Sequence, residues 1–161
     1  MKDGFSLNLG CGELQFEHIT GYKCINVDIR PLDGVDVVCS VKQLPFEDGY
    51  FDRILASDIL EHFPLSDTED LLAEWSRVLK TGGNMKFRTP SLKWVANYYL
   101  RTGDAKFVSH HIFGGQGYKE NFHYVIFDNV WLTELCSKFN LMVVDYKENH
   151  SNFELVVSKN G

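Results

Sequence analysis

Near its beginning the chain contains the run Phe5-Ser6-Leu7-Asn8-Leu9-Gly10-Cys11-Gly12. Apolar and polar residues alternate over the first five positions, which is typical of a β-strand, and a Gly-x-Gly turn follows directly. Glycines at the end of a strand let a ligand approach the backbone closely. In open α/β sheets ligands bind at the carboxyl ends of strands. The run therefore indicates a binding site at Gly10 and Gly12, with a purely structural tight turn as the alternative.

A second strand is predicted over residues 24–28, and it ends in an acid. Asp28 follows Gly10 by eighteen residues. An acid at this position can accept hydrogen bonds from both hydroxyls of a ribose. A turn or capping aspartate is the structural alternative. Together with the glycine turn, Asp28 favours a ligand that contains a nucleoside.

Two ligand classes contain such a nucleoside, and the sequence distinguishes between them. A dinucleotide requires Gly-x-Gly-x-x-Gly, which seats its pyrophosphate on a helix N-terminus. Gln15 occupies the third glycine position, and residues 11–23 leave little room for a full helix. S-adenosylmethionine has adenine and ribose but no phosphate, so it does not need that helix end. The departures favour S-adenosylmethionine.

The remaining pattern predicts an α/β open sheet with an antiparallel edge. Further strands are expected at residues 36–39, 51–57, 85–89, 141–146 and 153–158. One helix is expected from a capping box at Ser66–Glu69 through Leu79, closed by Gly82-Gly83, and others after the caps Ser91 and Asp128. Residues 103–127 show no clear period, which predicts a loop of about 25 residues. No linker or repeat divides residues 1–161, so we expect one domain.

Composition excludes several classes of protein. The 161 residues are 44% hydrophobic and 24% charged, which argues against disordered and fibrous proteins. The net charge is −6, so nucleic acid is not an expected partner. No apolar run reaches the roughly 18 residues of a membrane span, and the first residues lack a signal-peptide profile. We expect a cytoplasmic protein that does not enter membranes.

The four cysteines are not arranged as a metal module. Cys11, Cys24, Cys39 and Cys136 form no Cys-x-x-Cys pair, and their spacings match no zinc motif. Buried, reduced thiols are the expected state.

Five motifs, in order, resemble those of class I S-adenosylmethionine-dependent methyltransferases. They are Leu7-Asn8-Leu9-Gly10-Cys11-Gly12, Asn26-Val27-Asp28-Ile29, the stretch 44–52, Ile59-Leu60-Glu61-His62-Phe63 and the stretch 74–83. The resemblance is closest to short members of that family, which often lack the N-terminal helices that cover the cofactor. It implies a Rossmann-like, seven-stranded, mostly parallel sheet with an antiparallel C-terminal hairpin, and N-terminal helices that are reduced or absent.

The resemblance also implies a cofactor site. Asp28 should hold the ribose hydroxyls, Ile29 should pack on adenine, and Ser40 should lie near the adenine amino group. The glycine turn and Asn8 should line the methionine end, near Ser57 and Asp58. The full set implied is Asn8, Gly10, Cys11, Gly12, Asp28, Ile29, Ser40, Val41, Ser57 and Asp58.

Three positions depart from the family pattern. The family usually has acids where Asn8 and Ser40 stand, and a small residue where Leu14 stands. Neutral side chains still accept hydrogen bonds but lose the assistance of charge. These departures predict weak binding of the cofactor.

Methyl transfer to an oxygen also needs a base. His62 follows the fourth strand close to the expected methyl group, and His111 and His123 lie in the aperiodic segment 103–127, where Tyr118 and Tyr124 could bind an acceptor. That segment is expected to cover the acceptor as a lid. No metal is expected, because His110, His111 and His123 lack the i, i+4 spacing of a helical site.

The resulting hypothesis is a methyltransferase for a small-molecule or glycan-type acceptor. The alternative is a module that binds S-adenosylmethionine without catalysis, as a sensor or scaffold. A nicotinamide-dependent oxidoreductase is disfavoured by Gln15. The stripe of Trp94, Tyr98 and Tyr99 is expected in the core or at the surface of a homodimer.

Overall fold

The computed structural model describes residues 3–118 and 120–161. Its strands are β1 Phe5–Leu9, β2 His18–Ile19, β3 Tyr22–Asp28, β4 Val37–Val38, β5 Phe51–Ser57, β6 Leu79–Pro90, β7 Leu141–Asn149 and β8 Asn152–Lys159. Its helices are α1 Thr68–Val78, α2 Leu92–Thr102, α3 Ala105–Phe113 and α4 Asn129–Ser137, with 3₁₀ turns at Leu60–His62 and Leu65–Asp67. None of the helices within these ranges combines the length and apolar character needed to cross a bilayer.

All the strands join one sheet in the order β2-β3-β1-β5-β6-β8-β7, with β4 also on β3. The pairs β3–β1, β1–β5, β5–β6 and β3–β4 are parallel, and β6–β8–β7 and β2–β3 are antiparallel. The predicted Rossmann-like sheet with its antiparallel hairpin is confirmed. The seven predicted strands are all present, and β2 is a two-residue addition. Between Gly10 and the start of β2 the chain forms no helix.

The core packs α1 and α4 against the sheet. Trp75 of α1 is fully buried, and its indole Nε1 donates to the Val41 carbonyl at 2.9 Å. Leu71, Leu132 and Phe87 belong to the same cluster. Burying such side chains contributes roughly 1.5–3 kcal/mol each. This packing fixes the strand ends that carry the site.

Both predicted ends of α1 are wrong. Ser66 does not cap the helix: its hydroxyl donates to Asp67, and the helix continues directly from a 3₁₀ turn whose carbonyls take the first amides. The C-terminal end comes at Val78, before the glycine pair, because β6 starts at Leu79. Lys159 of β8 donates to the carbonyls of Ser76 and Leu79 at 2.6 and 2.9 Å, which satisfies this helix end.

The predicted loop at 103–127 is also wrong in its first half, which forms α3. Asp104 caps α3 by accepting from the Phe107 amide at 3.0 Å. Phe107 packs its ring on Tyr98 of α2, with 4.4 Å between centroids. None of the α3 residues is buried, so this segment lacks the buried apolar face that produces a helical period in a sequence. The strands expected at 141–146 and 153–158 would leave a six-residue connection, but the turn is tighter because β7 continues to Asn149 and β8 begins at Asn152.

Candidate active site

A cavity of about 250 Å³ lies where β1, β3, β4 and β5 end. This size is near the lower end of small-molecule sites. Its wall contains six of the predicted cofactor residues, namely Gly10, Asp28, Ile29, Ser40, Val41 and Asp58. His62 lies in the same wall. The sheet topology thus brings residues from four separate strand ends to one place.

Asp28, the last residue of β3, links that strand to the glycine turn that follows β1. Its Oδ2 accepts from the Gly12 amide at 2.8 Å, and its Oδ1 accepts from the Arg30 amide and Nε at 2.9 and 3.1 Å. Burial opposes ionisation of Asp28, but the bonds from Arg30 and Gly12 outweigh it and lower the pKa of this carboxyl. Gly12 has φ +52°, a left-handed conformation that favours glycine. Asp28 is therefore charged and faces the cavity.

Asn8 has a structural reason to be neutral. It is buried, and its Nδ2 donates to the Leu14 carbonyl at 2.8 Å and to Asn26 Oδ1 at 3.1 Å. A carboxylate at this position would face those two oxygens without a proton to donate. The amide thus holds the segment after the glycine turn, and Asn8 is not in the cavity wall.

The side of the cavity formed after β4 is where adenine is expected. Ile29 is 58% exposed beside it, and the Ser40 hydroxyl accepts from the Lys42 amide at 3.3 Å. An exposed isoleucine offers a flat apolar surface. Ser40 offers a neutral acceptor where a charged one would bind an amino group more tightly.

Ser40→Asp is expected to tighten binding of S-adenosylmethionine by about 3- to 10-fold, because a charged acceptor strengthens the bond to the adenine amino group by roughly 0.5–1.5 kcal/mol. Isothermal titration calorimetry measures the change. Ser40→Asn is the matched control, because asparagine has the shape of aspartate without its charge. This variant should bind S-adenosylmethionine like wild type. Equal affinities for Ser40→Asp and Ser40→Asn would contradict an adenine amino group at this position.

Asp58 is held in an unusual backbone conformation at the end of β5. Its φ of +51° is uncommon for a residue with a side chain. Its carboxylate accepts from Arg88 and from the Ser57 hydroxyl, and its amide donates to the Arg88 carbonyl at 2.8 Å. These bonds hold Asp58 in the cavity wall while Ser57 stays outside it.

Two of the three predicted catalytic histidines come together. The rings of His62 and His123 lie 4.8 Å apart, edge to face. His62 Nδ1 is 3.0 Å from the Phe122 carbonyl, and His123 Nδ1 is 2.9 Å from the His111 carbonyl. Burial lowers the pKa of both imidazoles, so both are neutral at pH 7. His111 lies behind this pair on α3, stacked on Phe107, and it contributes its carbonyl.

Glu61 lies beneath the histidine pair. It is fully buried, and within the described ranges neither carboxylate oxygen accepts a hydrogen bond of good geometry, although the Thr89 hydroxyl and the Glu61 amide lie close enough to favour the charged form. Burial raises its pKa to about 8. Ligand atoms of Glu61, His62 and His123 all lie within 4.8 Å of one another, an arrangement that could hold a metal ion. Glu61 belongs to one of the motifs, but its role was not predictable because the contacts that surround it, the Tyr124 amide on its carbonyl and the His123 ring, come from about sixty residues further along the chain.

The free energy of unfolding of wild type should fall as pH rises, and Glu61→Gln is expected to abolish that fall. The folded protein binds the Glu61 proton more tightly than the unfolded chain does, so stability should fall as pH rises from about 4.5 to about 8. The loss is about 1.4 kcal/mol per pH unit over that range. Thermal melts in chelator from pH 5 to 9 should show the variant gaining on wild type as pH rises. A constant difference between the two proteins would contradict this prediction.

Other residues of the wall were missed or placed differently. The cavity is also lined by Arg30, Ile59 and Phe63, which were not predicted as site residues. The Arg30 guanidinium lies 5.2 Å from the ring centre of Tyr118, which also lines it. Cys11 and Gly12 stand behind the wall with Asn8 and Ser57. Arg30 could have been suspected from its position two residues after Asp28.

Comparison with known proteins identifies the family. A sequence profile described as "Methyltransferase domain" matches residues 7–87. No curated protein sequence matches the chain.

Similar solved structures share its fold. They include the PH0226 protein of Pyrococcus horikoshii, with TM-score 0.72 and 18% identity over 99% of this chain and 83% of that one. Another is the Burkholderia thailandensis 1,6-didemethyltoxoflavin-N1-methyltransferase, crystallised with S-adenosylhomocysteine, with TM-score 0.69 and 16% identity over 98% and 71% of the two chains. A third is a SAM-dependent methyltransferase from Methanosarcina mazei, with TM-score 0.69 and 16% identity over 99% and 94%.

These matches agree with the glycine turn, the acid after β3 and the cavity at the strand ends. The resemblance noted in the sequence is confirmed, and S-adenosylmethionine is the cofactor of the family it indicates. The chain belongs to the methyltransferase-domain family and has the fold of class I S-adenosylmethionine-dependent methyltransferases.

Proposed function

We propose that the protein transfers the methyl group of S-adenosylmethionine to a small-molecule or glycan-type acceptor. The observation that carries this proposal is that the two sides of the cavity present different polar groups. Asp28 at the end of β3 and Ser40 after β4 lie on one side of β1 and offer acceptors for ribose and adenine, whereas Asp58 and His62 follow β5 on the other side of β1. A nucleoside bound against Asp28 would direct its sulfonium away from the adenine side.

The chemistry is an in-line displacement. A lone pair of the acceptor attacks the methyl carbon, the carbon–sulfur bond breaks, and its electrons stay on sulfur, which leaves S-adenosylhomocysteine. Alignment of the two reactants accounts for much of the acceleration. An acceptor hydroxyl must also lose its proton, and we place that loss at the His62–His123 pair, because both imidazoles are neutral and adjacent.

His111 acts through His123 in this proposal. Its carbonyl accepts from His123 Nδ1, which orients the ring and leaves Nε2 with its lone pair. His111 is thus a positioning residue. Tyr118 and Tyr124 line the cavity, and we propose that they contact the acceptor.

A binding module without catalysis is the second candidate. The observation that favours it is the ion pair between Arg30 and Asp28, since ribose hydroxyls must share or displace that contact. The two candidates differ in one measurement, which is turnover of S-adenosylmethionine to S-adenosylhomocysteine in the presence of a fractionated metabolite pool. Turnover that depends on a fraction supports the enzyme, and calorimetric binding with no turnover in any fraction supports the module. Binding of NAD instead would overturn both.

We propose the cytoplasm as the compartment. All four cysteines are free, and Cys11, Cys24 and Cys136 are buried. Burial raises the pKa of each of these three thiols, which keeps them protonated and unreactive. Free buried thiols suit a reducing environment.

A further inference from the structure

In the cluster of Glu61, His62 and His123, the Glu61 carboxylate has no cation in the described part of the chain dedicated to balancing its charge. A fully buried carboxylate whose nearest donors, the Thr89 hydroxyl and its own amide, do not reach good hydrogen-bond geometry is costly, and its negative charge needs a cation or a proton. The cation whose field reaches Glu61 is Arg88, and Arg88 is already paired with Asp58. Protein side chains within the described residues therefore leave Glu61 without a dedicated counter-charge.

The two histidines are oriented as metal ligands are. In each ring Nδ1 faces a backbone carbonyl, that of Phe122 for His62 and that of His111 for His123. An imidazole nitrogen next to a carbonyl carries the proton, so Nε2 keeps its lone pair. Histidines that bind metals commonly donate their other N–H to a carbonyl in this way, which fixes the tautomer and the ring.

The distances between the ligand atoms of the three residues are compatible with binding of one ion after a small contraction. The ligand atoms of the three residues lie within 4.8 Å of one another. Tetrahedral coordination at about 2.0–2.1 Å places ligands roughly 3.3 Å apart, so the site needs to contract by about 1.5 Å at most. Exposed acids often gather without an ion, but this carboxylate is fully buried.

We propose that Glu61, His62 and His123 bind one divalent transition-metal ion of the Zn²⁺ type. Two imidazoles and one carboxylate are ligands that Zn²⁺ takes in catalytic sites, where a fourth position stays open. His62 lines the cavity, so that open position faces the acceptor side.

The role of the ion rests on the proposed function, whereas the site does not. With both Nε2 lone pairs on the ion, the ion replaces the histidine pair as the group that promotes proton loss. An acceptor hydroxyl that coordinates the ion loses its proton to solvent more readily, because the ion lowers the pKa of a bound oxygen. The resulting oxyanion attacks the methyl carbon, the carbon–sulfur bond breaks, and S-adenosylhomocysteine leaves. The ion is neither oxidised nor reduced in this step.

The test is a titration of the untagged, chelator-treated chain with Co²⁺ and with Zn²⁺. Co²⁺ reports a tetrahedral site through its visible absorption, and calorimetry gives the stoichiometry of Zn²⁺. We expect one ion per chain and displacement of Co²⁺ by Zn²⁺. His123→Gln and Glu61→Gln should each weaken binding by about 100-fold or more, because each removes a ligand.

His110→Gln is the matched control, since His110 is an exposed histidine of α3 outside the cluster. It should bind both ions like wild type. Melting curves check folding, and Glu61→Gln should remain folded because glutamine has the shape of the protonated glutamic acid and carries no charge. Failure of the wild type to bind one ion per chain, or equal binding by His123→Gln and wild type, would overturn the site.

Activity distinguishes the role from the site. If transfer persists unchanged in chelator while the ion binds as expected, the ion has no role in transfer but the site stands. If the ion binds but S-adenosylmethionine does not, the proposed function fails and the site again stands.

Discussion

Asp28→Ala should weaken binding of S-adenosylmethionine by roughly 10- to 150-fold, or about 1.5–3 kcal/mol. The change removes the charged acceptor for the ribose hydroxyls. It also removes the Oδ2 that accepts from the Gly12 amide, so the glycine turn loses its link to β3. Both losses act in the same direction. Isothermal titration calorimetry with S-adenosylmethionine measures the sum.

Two further variants serve as a control and as an independent test of the site. Asp33→Ala removes an exposed acid of the same loop and should leave affinity unchanged, so it controls for net charge. Gly12→Val keeps Asp28 but places a side chain at a φ of +52°, with its Cβ 3.4 Å from the Arg30 guanidinium, and should cost at least as much as Asp28→Ala. Wild-type affinity in both Asp28→Ala and Gly12→Val would place the cofactor elsewhere.

His123→Ala should lower methyl transfer by about 10²-fold or more and leave S-adenosylmethionine affinity within about threefold. His62→Ala should behave in the same way. Under the proposed function both imidazoles belong to the acceptor end, on the β5 side of β1 and away from Asp28 on the β3 side, so they should affect the chemical step more than cofactor binding. Single-turnover formation of S-adenosylhomocysteine measures the first effect, and calorimetry measures the second.

His110→Ala is the control for this pair, because it removes a neighbouring histidine of α3 without touching the cluster. It should retain wild-type transfer. Should His62→Ala and His123→Ala keep full transfer while melting several degrees lower, the pair would be structural. Proton removal would then have to come from the acceptor itself or from solvent.

The strands of the parallel half were predictable because their signal is local. Residues 5–9 and 51–57 form strands with the predicted bounds, and Asp28 ends β3 as expected. Each strand alternates or is largely apolar, and each ends at a polar residue or glycine. The cavity follows from these ends because parallel strands bring their carboxyl ends to one edge.

Features that depend on distant contacts were not predictable. The capping box at Ser66 failed because a 3₁₀ turn supplies the first carbonyls of α1. The glycine pair at 82–83 was predicted to end α1 but does not, because Lys159, about eighty residues away, donates to the carbonyls at the end of this helix. The contacts that surround Glu61 likewise come from a segment about sixty residues further along the chain.

The pairing of that segment with the turn after β5 has a consequence for changing substrate scope. The Tyr124 amide donates to the Glu61 carbonyl at 2.8 Å, and His62 Nδ1 contacts the Phe122 carbonyl. The backbone at 122–124 is thereby anchored to the same turn that carries His62. Variation at the exposed cavity-lining positions Tyr118 and Glu120 can reshape the cavity for new acceptors while the anchored backbone keeps the two histidines in place. Libraries aimed at new substrates should therefore randomise Tyr118 and Glu120, which line the cavity, and leave residues 121–124 intact.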